Sequence, residues 1–287
     1  AEEITGLART MRAFSKKVEV AGPLVDTCGT GGDRAGTVNV STMAAVVVAG
    51  AGARVAKHGN RAASSECGSA DLLEALGVKI DLEPAGVAAC IEEAGIGFCF
   101  APVFHPAMKH AGPVRRELGV PTVFNFLGPL TNPAGATRQT VGVSDAAIAP
   151  KIAGALAGLG AEHAFVFRGD DGLDELTTTT TSRVWEIRNG NVTERSVDPA
   201  SLGIPKANAA DLKGAGAQHN AKIAIAVLDG EPGPIRDAVV LNAGCALVAA
   251  GAARELSEGL ALAVESIDSG RARGALETLR RASNDAR

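Results

Sequence analysis

The stretch DTCGTGGDRAGTVNVST, Asp26 to Thr42, runs from an apolar entry, GPLV, into an apolar exit, AAVVVAGAGA. It holds four glycines and several hydroxyl side chains. GPLVDTC reads as a short strand, and Ser41 or Thr42 stands where it can cap a helix through Ala51, with Gly52 as its stop. A glycine-rich loop between a strand and a helix N-terminus offers unpaired backbone N–H groups and the positive end of a helix dipole, so phosphate is its natural guest. GTGGD matches neither the spaced glycines of a dinucleotide site nor a loop ending in Gly-Lys-Ser/Thr, so an ordinary turn is the competing reading.

Outward from this loop the pattern repeats. ARVAKH is a strand, GNRAASS a loop, and SADLLEAL a helix ended by Gly77; residues 84 to 94 form a helix before the strand IGFCFAP. Strands alternating with helices predict a mainly parallel α/β sheet flanked by helices. From Phe104 to Pro133 the rhythm breaks: HPAMKHAGPVRRELG reads as a helix and FNFLGPLTNP as a segment punctuated by Pro and Gly. This predicts a small helical domain of residues 1–22 and 104–133 beside an α/β domain of residues 23–103 and 134–287. QTVGVSD, a helix through Leu159 and HAFVFRGDDG resume the α/β pattern. Asn189-Gly190 between VWEIR and VTERSVD signals a tight hairpin, TTTTT at 177–181 is compatible with a strand, and the chain beyond Asp211 reads as mainly helical. Ile4, Leu7, Ala8 and Met11 fall at helical spacing; the chain opens as though within a helical region, which predicts a further N-terminal segment.

Composition bounds the function. The 287 residues, 46% hydrophobic, suffice for a sizeable core. A net charge of −4 supplies no excess positive charge for a polyanion or an anionic membrane, and one Trp, eight Phe and no Tyr leave few platforms for stacking bases. Five Cys without a C-x-x-C pair point to reduced thiols in a cytoplasmic enzyme.

Two further loops follow predicted strands. KHGNRAASS, Lys57 to Ser65, places Lys57, His58, Asn60, Arg61 and two Ser at the same carboxyl edge as the glycine loop, where ligands of parallel sheets bind; a solvated basic turn is the plain alternative. GDDGLDELT crowds acidic side chains between Asp170 and Glu175. Acidic groups suit a phosphate site only with a divalent cation between them, and Mg²⁺ is commonly held by one or two carboxylates, phosphates and water. Arg115 and Arg116 lie in the irregular region with His105 and His110. An Arg there could hold a carboxylate through two parallel hydrogen bonds, and adjacent helical residues face apart, so the sequence admits one of the two without choosing.

CGTGGD, NVST, KHGNRAASS, HPAMKHAGPVRRELG, FNFLGPLTNP and GLDELT occur in this order, and together they resemble the anthranilate phosphoribosyltransferase family over essentially the whole chain. The resemblance implies a small helical domain on an α/β domain of the nucleoside phosphorylase/phosphoribosyltransferase type, usually as a homodimer, with the family's first helices missing here. It implies transfer of the 5-phosphoribosyl group from phosphoribosyl pyrophosphate to anthranilate, with Mg²⁺, two ions in each site by the family's pattern. Gly29, Thr30, Gly31, Gly32, Asp33, Thr37, Asn39, Val40, Ser41 and Thr42 would hold the donor, completed by Lys57, His58, Gly59, Asn60, Arg61, Ala62, Ala63, Ser64, Ser65 and Ser69. Ser41, Asp174 and Glu175 would hold metal, and Arg115 rather than Arg116 would bind the anthranilate carboxylate. Lys57, Asn60 and Arg115 would act in catalysis.

The rival within the fold is a pyrimidine nucleoside phosphorylase, which the NVST and KHGNR motifs fit less well. A non-enzymatic nucleic-acid-binding relative is disfavoured by the acidic net charge and scarce aromatics.

Overall fold

The computed structural model describes residues 1–62, 66–120 and 122–286, with the backbone alone at 115 and 116. The chain runs through α1 (Glu2–Ala13), β1 (Val25–Gly29), α2 (Val40–Gly50), β2 (Val55–Gly59), α3 (Ser69–Ala75), α4 (Pro84–Ala94) and β3 (Ile96–Phe100). The irregular segment then supplies α5 (Ala101–Phe104), α6 (Met108–Leu118) and α7 (Phe124–Leu127). β4 (Arg138–Gly142), α8 (Ala149–Gly158), β5 (His163–Gly169), β6 (Ser182–Arg188) and β7 (Asn191–Val197) complete the sheet. The C-terminal part is α9 (Ala217–Leu228), α10 (Pro234–Ala250), α11 (Leu256–Asp268) and α12 (Arg271–Asp285).

The seven strands are ordered β3-β2-β1-β4-β5-β6-β7, parallel through β5 and antiparallel beyond it. The order of winding switches at β1, because β2 and β3 lie on one side of it and β4 on the other. Ligands of such sheets bind at this switch point, outside the carboxyl ends of the strands. β1 keeps five register pairs with β4 and one, Val25↔Val55, with β2. The two central strands therefore share few backbone bonds at the end where the site lies.

Helix α2 is apolar all round, as a helix covered on every side must be. Met43 through Val48 are buried between the sheet and helices α10 and α12, in a core that also takes α4 and α9. A second core lies on the other face, where Ile4 and Ala8 of α1 and Leu127 and Leu130 pack with Ile152 and Leu156 of α8. Helix α1 and the 124–130 segment thus rest on the sheet through α8 rather than on a core of their own.

Three expectations differ in detail. α2 begins at Val40 with Asn39 before it, and neither Ser41 nor Thr42 caps it: Asn39 spends its side chain on Cys67 and Asn220 instead. Residues 177–181 form no strand. Asp171 accepts hydrogen bonds from the hydroxyls of Thr177 and Thr179, and a local side-chain acceptor outcompetes a ladder. FNFLGPLTNP contains the short helix α7 and a 3-10 turn, Gly128–Leu130. The hairpin forms as expected, with Asn189 at φ 49° and Gly190 at φ 82°.

Candidate active site

The glycine loop leaves β1 at Gly29 and is fixed from both sides. Thr30 donates its N–H to Gly142 O at 2.9 Å, and Ser144 Oγ donates to Gly31 O at 2.8 Å. Gly31 and Gly32 take φ of 67° and 86°, a left-handed conformation that a side chain would strain. Asp33 accepts from Ala35 N, and Thr37 pairs antiparallel with Lys213, which also donates its Nζ to Ala35 O. Asn39 precedes α2, Val40 is buried in its first turn, and Thr42 is buried with no partner for its Oγ1 among the described residues.

The acidic loop after β5 enters this cradle. Asp174 Oδ2 accepts the Gly31 N–H at 2.7 Å, and Glu175 Oε1 accepts the Ser41 N–H at 3.2 Å in the first turn of α2. The approach needs bare backbone: a Cβ on Gly29 would lie 2.4 Å from Asp174 Oδ2, and one on Gly142 would lie 1.5 Å from Asp174 O. The two carboxylates thus stand where a helix N-terminus and a glycine turn favour an anion.

These carboxylates stand together, half-buried, with little positive charge beside them. Burial, then the charge of Asp33, pushes Asp174 up to about 7; burial, then Asp174, pushes Glu175 well above the ordinary glutamate value. Lys57 is the cationic side chain that opposes this at Glu175. Among the described residues no three His, Cys, Asp or Glu converge as a metal cage. What the site offers is hard oxygen donors crowded without enough counter-charge, which fits a Mg²⁺ ion sharing its coordination with phosphates and water.

Lys57 lies in the middle of β2, buried, with Nζ donating to Thr27 O at 2.5 Å. His58 is buried too; its Nδ1 lies 3.0 Å from Gly128 O and its Nε2 3.2 Å from His105 Nε2. Burial lowers both imidazoles to about 4, so both are neutral near pH 7. Gly59 packs under Ser69, whose Oγ donates to Asn60 O at 3.2 Å, while Asn60 Oδ1 accepts the Arg61 N–H. Arg61 does not turn toward the crevice. Its guanidinium pairs with Asp71 and Glu74 of α3 and lies over the Phe100 ring. Ala62 donates its N–H to Asp71 Oδ2, as does Gly68. Ala63, Ser64 and Ser65 lie outside the described residues, as does the Arg115 side chain, whose backbone belongs to α6.

The structure therefore joins the glycine loop, the start of α2, Lys57 and the Asp174–Glu175 pair at one sheet edge. Sequence reasoning missed residues that hold the loops rather than line them. Asp71 orders the turn after β2, and Asn220 receives the Ala215 N–H and donates to Asn39. Asp71 stands three residues after a loop glycine and just inside a predicted helix, a helix-start pattern that could have marked it.

A glycine cradle, a buried lysine and an acidic loop thus meet at the switch point of a parallel sheet. The family described as "Glycosyl transferase family, a/b domain" matches residues 21–273. The anthranilate phosphoribosyltransferase of Acidothermus cellulolyticus is 58% identical over 100% of this chain and 82% of its own length. A crystal structure of anthranilate phosphoribosyltransferase from Thermus thermophilus superposes with a TM-score of 0.93 at 48% identity, covering 98% of this chain and 84% of that one. The Saccharomyces cerevisiae enzyme in complex with PRPP and Mg gives a TM-score of 0.91 at 31% identity over 99% and 80%. The chain belongs to the anthranilate phosphoribosyltransferases, pentosyl-transferring glycosyltransferases of tryptophan biosynthesis.

Proposed function

We propose that this chain transfers the 5-phosphoribosyl group from phosphoribosyl pyrophosphate to the amine of anthranilate, releasing pyrophosphate. The observation that carries the reading is the convergence of Gly31 N and Ser41 N with Asp174, Glu175 and Lys57 at one sheet edge. Donors for phosphate oxygens and carboxylates for a cation stand together there.

The ribose C1–O bond breaks, pyrophosphate leaves with the electron pair, and the amine nitrogen attacks C1 and then loses a proton. Mg²⁺ held by Ser41, Asp174 and Glu175, as one ion or two, would neutralise charge on the departing pyrophosphate. Lys57 and the loop N–H groups of Gly31 and Gly32, carried by Gly29 and Thr30 at the end of β1, add fixed positive ends where that charge develops. Asp33, Thr37, Asn39, Val40 and Thr42 line the same cradle, and Asn60 and Ala62 with Ser69 frame its other side, which the Arg61 guanidinium leaves for Asp71 and Glu74. Arg115 from α6 takes the anthranilate carboxylate and Asn60 positions the amine, which is nucleophilic when neutral and asks for orientation more than for a strong base. His58, neutral, borders the acceptor's route.

The same reading gives a helical domain, 1–22 and 104–133, closing on the α/β domain, 23–103 and 134–287. It gives a homodimer, supported by the exposed Phe14, Val114, Leu118 and Val120 on the helical segments. Five free, buried thiols support a reducing, cytoplasmic setting; no helix among the described residues is long and apolar enough to cross a membrane. Loss of anthranilate fluorescence on adding phosphoribosyl pyrophosphate and Mg²⁺ to the folded chain tests the activity. An unchanged signal, or salt-dependent binding to DNA or RNA in its place, overturns it.

A further inference from the structure

The carboxyl halves of β1 and β2 are held together by side chains. Their register is the single pair Val25↔Val55, whereas β2 and β3 keep five pairs. Beyond Val25, Asp26 Oδ1 accepts the His58 N–H at 3.0 Å, the place a strand carbonyl would take. Asp26 Oδ2 accepts from Asn132 Nδ2 at 2.8 Å, and Nδ2 also donates to Ala56 O at 2.7 Å. Asn132 Oδ1 accepts the Ala134 N–H at 2.9 Å, so the amide is fully engaged. From the other strand, Lys57 Nζ crosses to Thr27 O.

Asp26 is fully buried, yet nothing in the transfer reaction uses it. A buried carboxylate is retained at a cost unless a charge or several donors face it. Here the His58 N–H and the Asn132 amide do so, and the Lys57 ammonium lies at the next carbonyl of β1, that of Thr27. Burial pushes Asp26 up and Lys57 down, and each is the strongest influence opposing that push on the other.

We propose that Asp26 is a positioning residue for the transfer: it fills the gap between β1 and β2, fixes the backbone at His58, and so sets the adjoining Lys57, whose ammonium reaches across at Thr27 O, for the departing pyrophosphate. The proposal rests on the role given to Lys57 above and adds the group through which that role is set. Asn132 makes the arrangement responsive to the helical segment, since it reaches Asp26 from the return of that segment to the sheet. No Asp26 atom need touch substrate.

The test is a double-mutant cycle on the full chain with Mg²⁺: Asp26→Asn, Lys57→Gln and the pair, each with steady-state kinetics and a thermal midpoint. Asp26→Asn is expected to lower kcat/KM for phosphoribosyl pyrophosphate by about tenfold or more, with KM for anthranilate moving less than about twofold. In the Lys57→Gln background the same change is expected to cost less than about twofold, because its effect runs through the missing ammonium. Effects that multiply, or wild-type kinetics for Asp26→Asn beside an impaired Lys57→Gln, overturn the proposal. Wild-type kinetics for Lys57→Gln overturn the site reading itself, and this proposal with it. Should Asp26→Asn fail to fold, the pair decides: removing both buried charges is expected to restore a cooperative transition, and no recovery overturns the pairing.

Discussion

His58 and His105 meet through their Nε2 atoms at 3.2 Å, and this contact permits one arrangement of protons. His58 Nδ1 faces the Gly128 carbonyl, which only accepts, so the proton of neutral His58 sits on Nδ1. Its Nε2 is then bare, and His105 must donate from its own Nε2. The link ties β2 to both ends of the irregular helical segment.

Acid should loosen that link. Both imidazoles are held near 4 by burial, below the ordinary 6.5, so between those values the unfolded chain binds protons that the folded chain refuses. Stability at these sites is complete above pH 6.5 and is lost as pH falls toward 4, by ~3 kcal/mol for one such histidine. His105→Gln keeps a donor and removes one titrating group. Urea unfolding at stepped pH, without Mg²⁺, should show a steeper acid loss in the wild type; equal slopes would refute the assignment.

Gly142 and Gly31 make a contrast between space and strain. A Cβ on Gly142 collides with the Asp174 carbonyl, so Gly142→Ala should displace the acidic loop and lose nearly all turnover, with overpacking of roughly 1–3 kcal/mol or more. Gly31 has φ of 67° but open space, and Gly31→Ala should cost only about 1–2 kcal/mol. Melting curves and turnover of the two variants check the order.

The loop after β2 is predicted to depend more on Asp71 than on Arg61. Asp71 takes two backbone N–H bonds and the Arg61 guanidinium, whereas Arg61 is half-exposed and its ion pairs are of the kind that contribute little. Asp71→Ala should raise KM for phosphoribosyl pyrophosphate several-fold more than Arg61→Ala. A larger effect from Arg61→Ala would instead show its guanidinium working on the donor.

Arg115→Ala should chiefly raise KM for anthranilate, by about tenfold to a hundredfold for a lost bidentate pair. Asp174→Ala should instead depress Mg²⁺-dependent turnover and raise the Mg²⁺ needed for half activity. Titrating each substrate and the metal separately distinguishes the two, and unchanged kinetics in both variants would sink the site.

The thiols should be silent. Cys28 is buried beside the glycine loop, and burial, then Asp26, pushes its thiol well up; Cys99 is likewise raised by burial. A thiol reagent should react slowly with folded chain and with all five once it is unfolded in denaturant. Fast labelling of one thiol in the folded state would contradict this.

The alternation of strands and helices, the Asn189-Gly190 hairpin and the three loops at one sheet edge were legible in the sequence, because periodicity and glycine placement are local signals. The destinations of Arg61 and Asn39 were not. Each is decided by partners from other elements, Asp71 and Glu74 for one and Cys67 and Asn220 for the other. The threonine run shows the same limit, since β propensity yields where Asp171 collects the hydroxyls. Asp26 was visible as a letter of the opening motif, but a buried carboxylate's task is written only in what surrounds it.

The Gly31–Asp174 and Ser41–Glu175 bonds have a consequence for affinity. On the proposed reading, the N–H groups that would meet phosphate are already occupied by Asp174 and Glu175 before a donor arrives. Binding would then be an exchange of one acceptor for another, and the observed affinity would be the intrinsic one reduced by the fraction of molecules in which the two carboxyl groups have let go. A cation that draws those carboxylates to itself opens the cradle as it arrives, so metal and donor would each make the other's entry easier, by the same factor.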